Sequence, residues 1–542
     1  MRILTTLAIL VLATPAVARA QAASAQTHEH TAPEKLGKVH FENSCKPEVS
    51  AAFDRGVALL HSFSFSTAKK AFEGVLASDP SCAIAHWGIA MTHWGNPFAG
   101  IKTGPLLENG RAAAERGLAL GNPTPRERDY LAAVAELYKN HATVDHRTRT
   151  LGYERAMEQL HAKYPQDREA TAFYALSVNQ TAAPTDKTYG NQLKAWAMLD
   201  ELFKKDPDHP GLAHYIIHAF DHPPLAARAL QAARAYASIA PAAPHALHMP
   251  SHTFTRVGSW QESIDTNIQS AASAIRDGTF AEALHAMDYQ TYAYLQTGQD
   301  AAALKMVQEA PRVLARLDTN AMGGAAPPAA AFYASATIPA RYAMERGAWS
   351  EAASLRVAPS AFTYVDTITH FARAVGAARS GNPAAAKVDV AAIETLRLKL
   401  ADAKDAYWTE QARIQRDVAT AWIAFAEGRQ AEALEQLRAA AAAEDATDKS
   451  AVSPGPLAPA RELLGEMLME MKRPAEALTE FEAVLKKEPN RFRATYQASK
   501  AAQLAGNTAA AAKHRADLLT IAKAGDKPGR PELEEARRNV GK

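Results

Sequence analysis

Cysteine is almost missing from this chain: Cys45 and Cys82 are the two in 542 residues, too few and too readily paired for a thiol nucleophile. Charge of one sign is missing as well. Sixty Lys and Arg stand against 58 Asp and Glu, a net charge of +2, so there is no overall field to recruit nucleic acid or an anionic membrane. Beyond the N-terminal segment no apolar run approaches the ~18 residues of a transmembrane helix, which excludes a membrane span of that kind. Strand signals are sparse. A Gly-x-Ser-x-Gly elbow, a phosphate-binding P-loop, a dinucleotide fingerprint and a His-Glu-x-x-His motif are all absent from the sequence, and with them the chemistries they serve.

The first twenty residues combine Arg2, an apolar run from Ile3 to Ala13 and the small-x-small sequence Ala18-Arg19-Ala20. That is the pattern of a signal peptide cut after Ala20, and it predicts a periplasmic or secreted protein. In an oxidising compartment Cys45 and Cys82 are expected to form a disulfide bond. Cys45 precedes a helix predicted from about Val49 to Ser62, and Cys82 follows an antiparallel one from about Thr67 to Ser78, so both fall at one end of a helical hairpin. Two buried free thiols are the alternative.

Ala, Leu, Glu, Lys and Arg fill long segments with apolar residues at helical spacing, which makes the fold all-α. A recurring punctuation divides these segments: a turn glycine followed five residues later by a small residue, as in Gly428-Arg-Gln-Ala-Glu-Ala433. Gly258, Gly298, Gly347, Gly381, Gly428 and Gly506 mark the turns, Lys472 stands in the same slot, and the separations run from 34 to 49 residues. This is the period of helix-turn-helix repeats with insertions.

On these residues the chain resembles the tetratricopeptide-repeat (TPR) family, and in particular exported bacterial TPR proteins without an established activity. Leu464, Gly465, Ala477, Phe481 and Pro489 are in register with its pattern, as are Gly56, Ala68, Phe72 and Pro80. The resemblance implies a right-handed superhelical α-solenoid with a concave groove. It divides the chain into a signal peptide (1–20), a flexible leader (21–44), N-terminal repeats (45–182), central histidine-rich repeats (183–330), further repeats (331–443), C-terminal repeats (444–525) and a tail (526–542). Gly, Pro and polar clusters at 95–125, 184–190, 320–328 and 444–459 read as insertions or joints.

The central repeats carry the functional lead. Seven of the 19 histidines, His209, His214, His218, His222, His245, His248 and His252, fall in one short stretch where even spreading puts about one or two. In the repeat frame His214, His218, Asp221 and His222 share one face of a first helix; His245, His248 and His252 share the next, and His285, Asp288 and Tyr292 the one after. The resemblance implies that these faces line the groove, together with Arg256. Pro250 raises the question of whether His245 stays on the common face.

Three readings stay open from the residues. The groove binds a peptide, a partner protein or a small ligand through hydrogen bonds and stacking. Alternatively His214, His218, His248, His252, His285 and Asp288 bind a divalent transition metal, in a plain metal protein or in a metal-dependent hydrolase or oxidase. In the third, the histidines satisfy buried backbone groups. Two smaller clusters are packing or tail features first and ligands second: His86, Trp87, His93 and Trp94, and the leader's His28-Glu29-His30.

Overall fold

The computed structural model describes residues 34–102, 104–183, 185–319 and 324–538. The expected signal peptide, the start of the leader and His28-Glu29-His30 lie outside them. Among the described residues there are helices and no strands, and those from Lys35 onward form one compact unit.

Helices follow one another as antiparallel pairs, beginning with Ser50–His61 and Phe65–Ser78. The physical basis of the repeat signature is visible in this pair. Gly56 leaves room for the Phe72 ring, since an added Cβ would stand 2.8 Å from it, and Gly88 of the following helix does the same at 2.5 Å. Gly465 and Phe481 repeat the arrangement in the C-terminal array. Each fully buried phenylalanine removes apolar surface worth roughly 2–3 kcal/mol from water. The turn glycines adopt left-handed backbone, with φ from +64° to +85°, and Lys472 in the same slot has φ +58°. Glycine enters this region without steric cost, whereas a lysine there gives up about 1 kcal/mol.

The Cys45–Cys82 disulfide bond is formed, with the Cα atoms 4.7 Å apart, at one end of this first hairpin. The leader departs from expectation over its final residues. Leu36 and Phe41 are buried, and the Phe41 ring lies 5.4, 5.0 and 5.0 Å from those of Phe53, Trp87 and Tyr130. This segment is not helical, and single side chains anchor it. The 95–125 break likewise contains a helix, Pro105–Ala119, started by Pro105 in its first turn. Proline fits there because the first helical N–H groups have no partner within the helix.

The array closes on itself. Trp260 donates its indole N–H to the Asn490 carbonyl (2.7 Å), Arg491 donates to the Tyr292 hydroxyl (3.0 Å), and Asp526 N–H donates to the Gly298 carbonyl (3.0 Å). At Gly258 an added Cβ would stand 2.4 Å from the Pro489 oxygen. The 446–459 segment, between the helices Gln430–Asp445 and Ala460–Glu470, runs across the central repeats. Lys449 reaches Asp221 there (3.0 Å), and Tyr289 donates to the Ser453 carbonyl (3.2 Å).

Candidate metal centre

The central histidines sit on four short or medium helices whose starts are set by proline or glycine. His214 and His218 lie on Pro210–Ala219, His245 and His248 on Pro244–His248, His252 on Pro250–Val257 and His285 on Phe280–Gln296. Pro250 does not displace His245. Met249 between the two proline-started helices keeps right-handed helical backbone, φ −54° and ψ −35°, so His245, His248 and His252 descend one continuous face. Pro250 occupies a first-turn position where no backbone N–H is needed.

Six rings converge in two groups of three, His214/His218/His245 and His248/His252/His285, and within each group the nearest ring nitrogens all lie within 4.8 Å of one another. None of the six is more than 8% exposed. The groove face expected from the repeat frame is therefore a filled interior at this point, covered by the 446–459 segment.

The protons on these rings are assigned by their neighbours. Asn267 donates its side-chain amide to the Ser263 carbonyl (2.8 Å), which turns its Oδ1 toward His248; His248 Nδ1–H must then donate to it (2.7 Å). His252 donates Nδ1–H to the Asp221 carboxylate (2.9 Å), and His214 donates Nδ1–H to the His61 carbonyl (2.6 Å). A neutral imidazole with its proton on Nδ1 leaves a bare lone pair on Nε2. The Nε2 atoms of His248 and His252 nevertheless face each other at 3.1 Å; those of His214 and His245 are 3.2 Å apart, a spacing at which His245 Nε2–H can donate to His214. His218 Nε2 is buried with no hydrogen-bond partner among the described residues, its ring stacked on Phe98 and Phe63.

Burial keeps the rings neutral. It pushes His214 and His285 down to about 3, and lowers His218, His245 and His248, each reinforced by neighbouring histidines. Burial lowers His252 too, against the raising effect of its bond to Asp221. Two nitrogen ligands of one tetrahedral ion at ~2.0–2.1 Å are roughly 3.3 Å apart. The facing pairs match that spacing, and the Nδ1 bonds of His214, His248 and His252 are of the kind that orient metal-binding histidines.

Not every residue expected at this site is in it. Asp288 is buried against Arg341, which donates Nε–H to its Oδ1 at 2.8 Å, and it belongs to neither histidine group. Relative to His285 it is turned by about −60° around the helix, whereas Tyr289 is turned by about +40°. Tyr289 therefore lies beside the cluster, its ring centroid 4.8, 5.0 and 5.2 Å from those of His248, His252 and His285. Tyr292 is buried under Arg491. His222 pairs with Asp448 of the covering segment (3.3 Å) and belongs to neither group of three. Asp221 joins His252, Arg256 (2.9 Å) and Lys449 (3.0 Å) behind the cluster.

A second buried group has no counterpart in the reading of the sequence. Glu169 accepts from His61 Nε2 (2.7 Å) and His209 Nε2 (2.9 Å), while the Tyr215 hydroxyl contacts His61 Nδ1 (2.9 Å). Both carboxylate oxygens are thereby used. The two histidines hold the Glu169 carboxyl well below its ordinary range against the opposing effect of burial. Since His61 also presents its carbonyl to His214, this network fixes one end of the six-ring cluster. His61 and Glu169 carry no periodic signal that marks them.

Beyond Asp221 an open cleft is lined by Arg256, Lys449, Tyr333, Phe371, Tyr407 and Trp408, among others. Burial pushes the Lys449 ammonium down to about 8, with Asp221 opposing the shift.

No family model and no curated protein matches this chain. Solved structures similar to it include the APC/C hetero-tetramer Cut9–Hcn1, at 11% identity over 91% of this chain and 90% of that one, TM-score 0.32. Ypp1 is similar at 10% identity over 84% and 66%, TM-score 0.44. The P58(IPK) TPR domain is similar at 14% identity over 68% and 98%, TM-score 0.21. These likenesses concern the fold alone. Fold and side chains together define an α-solenoid of TPR-like helix pairs with six histidines gathered in its core.

Proposed function

We propose that this protein is a transition-metal-binding α-solenoid whose central repeats hold the ion through histidine Nε2 atoms. One observation carries this reading: His248 and His252 each commit Nδ1–H to an acceptor and still aim bare Nε2 atoms at each other across 3.1 Å. Two lone pairs at that distance repel. A proton or a metal cation between them removes the repulsion, and burial works against the proton. With His285 the pair forms a three-nitrogen set suited to Zn, Cu, Fe or Ni. The formed disulfide bond and the signal-peptide pattern of residues 1–20 support an exported protein.

The test is elemental analysis of metal-stripped protein reloaded with Zn(II) or Cu and then desalted, beside the His252→Ala variant. Bound metal that falls in the variant is expected. A wild-type protein that retains no metal would refute the proposal.

A second reading has its own support in the open cleft beside Asp221, which combines aromatic walls with Arg256 and Lys449. In this reading the solenoid is a scaffold whose groove binds a partner next to the histidine core. Substituting Trp408 by Ala should then weaken partner capture while metal content stays unchanged.

A further inference from the structure

The cluster contains two complete three-histidine sets, and the charge around them bears on what they hold. They abut: the ring centroids of His245 and His248 are 6.0 Å apart, and those of His218 and His252 are 6.3 Å apart. Each set has its own facing Nε2 pair and its own third ring, His218 in one and His285 in the other.

No carboxylate belongs to either set. Asp221 is engaged by His252 Nδ1, Arg256 and Lys449, Asp288 by Arg341, and Glu169 by His61 and His209. Behind the rings the cations Arg256 and Lys449 are balanced by the carboxylate of Asp221 and, further out, by Asp448 and Glu488, so no uncompensated negative charge is left to offset an ion held by the rings. A divalent ion in each set would place four positive charges among neutral, buried donors. The cost of desolvating an ion rises with the square of its charge, so a monovalent ion in each set costs roughly a quarter as much. Among first-row metals the monovalent ion that imidazole binds well, and that accepts three ligands, is copper(I).

We infer that the six histidines hold two copper(I) ions side by side, one on His214, His218 and His245 and the other on His248, His252 and His285. This rests on the metal-centre proposal above. It adds the number of ions, their identity and the division of ligands.

The experiment is an anaerobic copper(I) titration of the metal-stripped full chain against bicinchoninate, with a parallel Zn(II) titration. Two copper(I) equivalents per chain are expected, with one remaining in His218→Ala and one in His285→Ala. X-ray absorption of the loaded wild type should show nitrogen-only coordination. Zn(II) should fill fewer than two sites at the same free concentration. A single copper(I) equivalent in the wild type, sulfur coordination, or two Zn(II) ions bound as readily as copper(I) would each overturn the inference and leave the metal centre standing. Failure to bind any metal would instead overturn the metal-centre proposal itself. The wild-type stoichiometry decides the matter even if a variant does not fold.

Discussion

Replacing His214 by Asn should produce a stability difference that depends on pH, because it removes a ring that is neutral only in the fold. Burial pushes His214 down to about 3, the bond to the His61 carbonyl opposes that, and the nearby rings of His61 and His252 add to it. In the unfolded chain the ring returns to the ordinary value near 6.5. The unfolded chain therefore binds the extra proton, so the contribution of the neutral ring is fully present above pH 6.5 and is lost as pH falls toward 3. Between pH 7.5 and 5.0 the loss amounts to about 2 kcal/mol, RT times the logarithm of a roughly thirtyfold proton binding in the unfolded state. Glu282 and Glu444 act in the opposite direction. Burial pushes their carboxyls up to about 7, so the fold takes up their protons and gains stability as pH falls from 7 toward 4.5. The wild-type profile sums these opposing slopes, whereas the difference between wild type and variant isolates His214. Asn is the useful replacement because its amide N–H stands near the position of Nδ1–H and keeps the His61 carbonyl bonded. The assay is urea unfolding of both metal-free proteins at the two pH values, followed by far-UV circular dichroism. The gap between them should narrow by about 2 kcal/mol at pH 5.0. Curves that stay parallel within about 0.5 kcal/mol would show His214 titrating normally in the fold, and would refute the reasoning that burial holds its ring neutral.

Other consequences are as direct. Asp221→Asn weakens the acceptor that orients His252 and should reduce metal affinity roughly 10–100-fold in a competition titration. Arg341→Ala strands the Asp288 carboxylate, fully buried with its partner, and should cost about 3–5 kcal/mol in chemical denaturation while leaving the metal stoichiometry unchanged. Removing the disulfide bond by Cys45→Ser and Cys82→Ser opens a link of sequence separation 37 and should cost about 4 kcal/mol, read as a lower urea midpoint than that of the oxidised wild type.

Local signals in the sequence determined the helices, their turns and much of the histidine site. The turn glycines and Lys472 stand out because a left-handed residue is needed wherever one helix must double back, and the Gly56–Phe72 and Gly465–Phe481 pairs because a ring of that size fits only over a missing side chain. The histidine faces were legible for the same reason: one helix carries its face in its own periodicity. Which faces meet was not. Asp288 and Tyr289 are neighbours in sequence, and a rotation of about 100° between them sends one to Arg341 and the other to the rings. That choice belongs to the packing of Phe280–Gln296 against Pro328–Glu345. The burial of the groove, the joining of His61 and Glu169 to His214, and the cover supplied by Lys449 and Ser453 all depend on contacts between segments separated by more than a hundred residues. Such contacts leave no period in the chain, because each is one side chain meeting another. The proton positions that leave His214, His248 and His252 with bare Nε2 atoms were likewise decided by tertiary structure, since the His61, Asn267 and Asp221 acceptors that fix them reach the rings only once the repeats have stacked.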